Sequence, residues 1–257
     1  MFDFHHAADR AARRAAFIRA TARLTSLSLT ASAALLPLSA QAGRPWNTDD
    51  AGVIDAGACQ LEAWTEQVRH DGHTAPAYWL NPGCTPVERT ELSFGVGWDD
   101  DDDTHLTAWQ VKHQLRDLSD QAPGFALSLG SDRDRRIHDD LLGDMTFNGI
   151  TSVPLQGEAL VAHVNLGVTH HRDEDHGWET RANWGSALEW QWLPQTHIGA
   201  EMFGLGGQRP SWQLGARHEL LADRLQLDVS FGAPVGRWHE ERTLTLGVVV
   251  VSPAFLH

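Results

Sequence analysis

Large apolar residues alternate with small or polar ones in seven segments of the chain, and this period of two is the pattern of a β-strand with one apolar face. Between Glu91 and Trp98, for example, every second residue is Leu, Phe, Val or Trp. The seven segments are residues 91–98, 125–129, 160–168, 182–190, 212–216, 225–231 and 244–250. Weaker segments near residues 59–68, 75–83, 105–115, 145–153 and 196–204 fill the gaps, so the sequence predicts twelve strands.

Alternation alone fits both a soluble β-sandwich and a transmembrane β-barrel, and the connections favour the barrel. The connections after odd-numbered strands, such as residues 99–103, 132–143 and 170–178, are long and charged. Those after even-numbered strands, such as residues 193–195 and 221–223, are mostly shorter. Long outer loops, short periplasmic turns and an even strand count are typical of outer-membrane barrels. We therefore predict an all-β, antiparallel, up-and-down transmembrane barrel of about 12 strands; the alternative is a soluble periplasmic β-sandwich or small barrel that binds a ligand or partner.

The placement of tryptophan and glycine agrees with the barrel. The chain has 11 tryptophans and one tyrosine. Five of the tryptophans fall at or near predicted strand ends, where an interfacial girdle would lie: Trp98, Trp178, Trp190, Trp192 and Trp238. Glycines inside the strands would weaken a sandwich core, whereas they suit a barrel wall that must curve.

The first 42 residues are predicted to be a signal peptide. Five arginines between Arg10 and Arg23 precede an apolar stretch, and Ala40-Gln41-Ala42 fits a cleavage site. Residues 43–257 would then form one barrel domain in the bacterial outer membrane. Residues 43–58 precede the first strand, and from their position and charges we expect them to enter the lumen as a partial plug.

The charge of the chain limits its partners. Removing residues 1–42 leaves 15 basic and 32 acidic residues, a net charge of −17. So acidic a surface excludes nucleic acid and disfavours anionic headgroups. The predicted partners are outer-membrane lipid and small organic solutes.

The start of the predicted mature chain carries a family resemblance. Residues 44–53 read Arg-Pro-Trp-Asn-Thr-Asp-Asp-Ala-Gly-Val, and Gly57 and a Gln-Leu-Glu strand at 60–62 follow. This opening resembles the outer-membrane proteins named after the meta-cleavage pathway of phenol degradation. The resemblance implies a barrel with a transport role for small, often aromatic, organic compounds. Such barrels usually end on an aromatic residue, whereas here Leu256 and His257 follow Phe255.

Assigning the apolar faces to lipid places the polar faces in the lumen. The lumen candidates for selectivity are Glu62, Glu66, Glu91, Lys112, Arg181, Glu189, Glu201, Arg217 and Asp228. Acids outnumber bases in this set, so the predicted narrow lumen prefers cations or neutral solutes. Lys112 and the two arginines either form a selectivity ring or pair across the lumen with Glu66, Glu201 or Asp228, in a salt-bridge network that fills the barrel.

The two cysteines are a disulfide candidate. A hairpin of the first two strands about Gly72 pairs residues whose numbers sum to about 143, so Cys59 and Cys84 would face each other near the periplasmic rim. A bond there would lock the first hairpin.

No motif in the chain indicates an enzyme, a metal site or a cofactor. The His-rich residues 170–176 and the aspartates 99–103 lack regular ligand spacing, so we interpret both as solvated outer loops. The nucleophile elbow, the zinc-binding helix motif and the phosphate-binding loop do not occur. The predicted function is passive transport.

Overall fold

The computed structural model describes residues 44–256, except positions 71, 101–103, 137, 139–141 and 174–176. The predicted signal peptide, residues 1–42, lies outside the described residues. The twelve strands are β1 Cys59–His70, β2 His73–Val87, β3 Thr90–Asp99, β4 Thr104–Arg116, β5 Gly124–Asp134, β6 Asp144–Pro154, β7 Leu160–Asp173, β8 Gly177–Leu193, β9 Thr196–Leu205, β10 Ser211–Leu221, β11 Leu225–Pro234 and β12 Glu241–Val251.

The twelve strands form one closed antiparallel barrel. Each strand pairs with its neighbours in sequence, and β1 pairs with β12 from Gln60 opposite Val251 to His70 opposite Glu241. Closure leaves no strand edge unpaired. The predicted fold class is confirmed, and the sandwich alternative is wrong because all the strands belong to a single sheet that closes on itself.

The side chains are arranged in the opposite way from those of a soluble protein. The outward-facing Leu166, Leu214 and Leu246 are 64%, 54% and 52% exposed, whereas Lys112 and Glu201 on the inner face are almost completely buried. A barrel can present apolar side chains outward in this way only to lipid. The protein is therefore an outer-membrane barrel, as predicted.

Exposed tryptophans lie near both ends of the barrel. Trp178 and Trp238 lie near the outer end, and Trp190 and Trp192 lie near the end that holds both termini of the barrel, which we call the periplasmic end. This is the arrangement of two interfacial girdles.

The strands are longer than the alternation of apolar residues predicted. Most of the predicted loop 170–178 belongs to β7 and β8, which leave only residues 174–176 between them. The difference in length between outer loops and periplasmic turns is therefore smaller than predicted. The periplasmic connection after β4, residues 117–123, is even longer than the outer connection after β1, residues 71–72. Backbone hydrogen bonds continue the ladder into water, where the side chains need no apolar face, so the apolar pattern stops before the strand does.

The first hairpin carries the two cysteines. The register of β1 and β2 pairs Cys59 with Cys84, and the two sulfur atoms form a disulfide of 2.06 Å. The bond lies at the periplasmic end, where β1 begins.

Candidate channel lumen and its plug

Residues 44–58, which we call the plug, precede β1, and residues 44–54 lie inside the barrel. The backbone N–H groups of Asn47 and Thr48 donate to the two carboxylate oxygens of Glu201 on β9, at 2.9 and 2.7 Å. The N–H of Asp49 donates to Oδ1 of Asn165 on β7 at 2.6 Å. Because a backbone donor inside a barrel must find a partner, these wall side chains determine where the plug can lie.

A second row of contacts ties the plug to the wall nearer the periplasmic end. The N–H of Ala51 donates to the Ser152 hydroxyl at 2.9 Å, and that hydroxyl lies 2.8 Å from Nδ1 of His163. Nε2 of His163 lies 3.6 Å from the Glu189 carboxylate. Ser152 is 1% exposed, so the plug covers its hydroxyl. These contacts were not predicted from the sequence, although the register that pairs Ser152 with His163 follows from the turn between β6 and β7.

Lys112 holds the plug by charge. Its buried Nζ lies 2.7 Å from Oδ1 of Asp49 and 3.8 Å from Oδ1 of Asp50. The expected pairing of Lys112 with a wall carboxylate is therefore wrong. The plug lies between Lys112 and the opposite wall, and its carboxylates reach the ammonium group first.

The two candidate arginines serve separate carboxylates. Arg217 lies 2.6 Å from the buried Glu189 carboxylate, which His197 also contacts at 2.9 Å. Arg181 pairs with Glu179 instead. Arg181 lies on β8 eight residues from Glu189, toward the outer end of the strand. Eight strand residues span roughly 26 Å, so Arg181 cannot join Lys112 and Arg217 in one ring.

Two tryptophans that the sequence analysis did not assign to the lumen face it from β1 and β2. The Trp64 and Trp79 rings stack with centroids 5.5 Å apart. The guanidinium carbon of Arg44 lies 3.9 Å from the Trp64 ring centroid, and Arg44 Nε lies 3.8 Å from Asp228. The Trp64 indole N–H donates to Glu66 at 2.9 Å. The sequence contained the signal for this placement, because Trp64 lies two residues before Glu66 and therefore on the same face of β1.

Glycines on the inner face make room for the plug. A Cβ on Gly215 would lie 2.9 Å from the Trp46 ring, and one on Gly199 would lie equally close to it. A Cβ on Gly185 would lie 2.7 Å from the Thr48 hydroxyl. We expected the strand glycines to serve barrel curvature, but these three, on β8, β9 and β10, form recesses into which plug side chains fit.

One cavity lies beside the plug toward the outer end, and another lies beside it toward the periplasmic end. The outer cavity, of about 530 Å³, is lined by residues that include Trp46, Trp79 and Phe203. The inner cavity, of about 230 Å³, shares some of this lining and adds charged residues that include Glu62 and Lys112. Plug residues 44–47 line one or both cavities, so the plug lies along the route through the barrel.

The two predicted solvated loops differ from expectation. Asp99 is 1% exposed and ends β3, while residues 101–103 lie outside the described residues. His171 is also buried, and it contacts Glu179 at 3.0 Å. Among the residues that the structure describes, no group of three or more His, Cys, Asp or Glu side chains is placed to hold a metal ion. Within the same residues, no helix has the length and apolar character to cross a bilayer.

Several solved barrels are similar to this chain in fold. The KdgM porin in complex with disordered oligogalacturonate is 9% identical with a TM-score of 0.57, and the match covers 74% of this chain and 98% of that one. The NanC porin is 8% identical with the same TM-score and coverage. The COG4313 outer membrane channel from Pseudomonas putida F1 is 13% identical with a TM-score of 0.52, covering 82% of this chain and 100% of that one. At these identities the likeness concerns the fold alone.

Comparison by sequence identifies a family but no characterised relative. No curated protein matches the chain significantly. The resemblance to the phenol-degradation proteins is not shown by these comparisons and stays a prediction. A model of the family described as "Uncharacterised conserved protein UCP029691" matches residues 31–251, so the chain belongs to that family.

Proposed function

We propose that this protein is a passive outer-membrane channel for small organic solutes, aromatic ones among them, and that the plug narrows its acidic lumen. The observation that carries the proposal is a polar lumen with two cavities separated by a plug that the wall holds through hydrogen bonds and ion pairs. Successive weak contacts of this kind let a solute enter and leave. The proposal includes no chemical step.

The charges of the lumen support a preference for cations and neutral solutes. Glu62 accepts a hydrogen bond from the Asn81 amide, and Glu91 accepts one from the Ile54 N–H. Glu201 accepts its bonds from neutral plug donors as well. Donors that are neutral add no positive charge to the lumen, so the excess of carboxylates over basic groups there favours cations over anions.

The similar barrels help to define the solute class by contrast. The KdgM porin is described in complex with oligogalacturonate, an acidic sugar chain. The Glu66 carboxylate, which lines the outer cavity, would repel such a chain. Aromatic side chains at the outer cavity, including Trp46 and Trp79, offer flat faces to an aromatic or otherwise planar solute instead.

The proposal is tested by the reversal potential of the purified protein in a planar bilayer with a potassium chloride gradient. We expect cation selectivity, and we expect Glu62→Gln and Glu66→Gln to reduce it. The matched control is Glu88→Gln, because Glu88 is exposed in the two-residue turn after β2. Vesicles loaded with benzylammonium should release it faster than vesicles loaded with benzoate. Anion selectivity, or a protein that never conducts, would refute the proposed function.

A further inference from the structure

The surroundings of Arg44 have the composition of a cation-binding site. The centroid of the Trp64 ring lies 3.9 Å from the guanidinium carbon, and the Trp64 ring also stacks on Trp79. Asp228 lies 3.8 Å from Arg44 Nε, and the Glu66 carboxylate is fixed beside Trp64 by the indole N–H. An aromatic face with carboxylates around it is the arrangement that attracts guanidinium and ammonium groups.

Asp228 provides a second, independent observation. It is 95% buried, and within the described part of the chain neither of its carboxylate oxygens receives a well-formed hydrogen bond, although Arg217 is its cross-strand neighbour and the Gln226 side chain lies close to it. Its carboxylate lies over Gly247, where a Cβ would come within 2.5 Å of Oδ1. The oxygens of a buried carboxylate normally have hydrogen-bond partners, so Asp228 has the capacity to bind a donor more closely than it binds Arg44 at 3.8 Å.

The ion pair between Arg44 of the plug and Asp228 of the wall is looser than the ion pair between Lys112 of the wall and Asp49 of the plug. Lys112 is 2% exposed and makes a 2.7 Å bond to the plug, whereas the Arg44 side chain is 15% exposed and its pairing distance is 3.8 Å. Arg44 and Glu66 both line the 530 Å³ outer cavity, so a solute in that cavity reaches the guanidinium group directly.

We propose that Trp64, Glu66 and Asp228 form a binding site for organic cations with a guanidinium or alkylammonium group, and that Arg44 of the plug occupies this site as an internal ligand. A cationic solute in the outer cavity contacts Arg44 and Glu66 first, and it reaches Trp64 and Asp228 only by displacing Arg44. This inference rests on the proposed function for its role in transport, because it names the solute class that the channel selects.

The test is chemical rescue of the full mature chain carrying Arg44→Ala, folded in detergent micelles. The probes are methylguanidinium and its neutral isostere methylurea, both at millimolar concentration. Calorimetric titration should show that Arg44→Ala binds methylguanidinium about tenfold more tightly than the unmodified protein does, since the internal competitor is gone. Methylurea should bind neither protein. The thermal midpoint of Arg44→Ala should rise with methylguanidinium and should not respond to methylurea.

The isosteric change Asp228→Asn, combined with Arg44→Ala, separates a site from a nonspecific effect. It keeps the volume of the side chain and removes the charge, so the tighter binding should be lost. Equal responses to the two probes, or binding that survives Asp228→Asn, would overturn the proposal. The binding measurement does not depend on conductance. A protein that binds methylguanidinium but never conducts would therefore refute the channel and keep the site, and the reverse result would refute the site alone.

Discussion

At the scale of single residues, Lys112 is the residue whose substitution should affect the plug most. Its ammonium group is buried against Asp49 and Asp50. Lys112→Met leaves these carboxylates and the nearby Glu91 without a compensating charge in the lumen. Breaking a buried pair costs about 3–5 kcal/mol, and we expect the lower end because Asp49 is 25% exposed. The measurement is the temperature at which half of the protein loses its folded mobility on an unboiled SDS gel.

The control for Lys112 is an ion pair at the surface. Arg89 lies 2.8 Å from Asp117 with both side chains exposed. Arg89→Gln should therefore change the stability by less than about 1 kcal/mol. If the two variants lowered the midpoint equally, the plug contact of Lys112 would contribute nothing beyond a surface pair.

Substitution of Gly215 tests whether the plug needs the space that this glycine leaves on the inner face of the wall. Gly215→Val places methyl groups where the Trp46 ring and the Pro45 ring lie, at 2.9 and 3.0 Å from the new Cβ. We expect the plug to be displaced, with a rise in single-channel conductance and a loss of about 1–3 kcal/mol from overpacking. Gly149→Val is the control, because a Cβ on Gly149 meets only a carbonyl oxygen at 3.7 Å. An unchanged conductance in Gly215→Val would mean that the plug does not limit ion flow.

The faces of these residues could be read from the sequence, whereas their partners could not. Period-two alternation places Glu62, Glu201 and Asp228 on the inner face, and all three are buried there. Trp64 lies at the same period-two positions as Glu62 and therefore on the inner face, but it was not predicted there because only polar residues were assigned to the lumen. The partners of Lys112 lie in the plug, and no period relates an irregular segment to the wall that it contacts.

At the scale of elements, the β1–β2 hairpin is the part of the barrel with a covalent constraint. Cys59 and Cys84 close a loop with a sequence separation of 25 residues. A loop of that length gains about 3.5 kcal/mol from a disulfide in the chain-entropy model. Cys59→Ser combined with Cys84→Ser should lower the gel-shift midpoint, and reductant should have that effect on the unmodified protein only. Two free thiols in the purified protein, found by mass spectrometry after alkylation, would contradict the prediction.

The strands and the plug differ in how far sequence determines them. Seven strands were predictable because lipid demands an apolar side chain at every second position. The other five have a weaker pattern and were predictable because they fill the gaps between these seven. The outer ends of the strands were not predictable, as β7 and β8 show, because water tolerates polar residues on both faces of a ladder. The path of the plug depends on backbone N–H groups, which every residue except proline carries, so its residue types do not reveal its contacts.

At the scale of the whole molecule, the barrel and the plug are two parts with different kinds of stabilisation. The barrel wall is closed by strand pairing throughout, including β1 with β12. The plug is held instead by side chains of at least five strands, with Glu201, Asn165 and Ser152 among the acceptors. The strand pairing that closes the barrel does not involve the plug, so closure of the barrel does not depend on these side-chain contacts.

The placement of the whole barrel in lipid is tested by one substitution made at two depths. Leu166 and Leu221 are 64% and 60% exposed, but Leu166 lies within β7 and Leu221 ends β10 at the periplasmic rim. In a bilayer, Leu166→Arg should cost about 2–4 kcal/mol and Leu221→Arg about 0–1 kcal/mol, because the cost of a charge depends on its depth. The measurement is guanidinium-induced unfolding of each variant in phospholipid vesicles. Both leucines are equally exposed, so a barrel in water would tolerate both arginines alike. Equal stabilities would thus contradict the membrane placement, whereas a difference of the expected size requires that β7 crosses the apolar layer at Leu166.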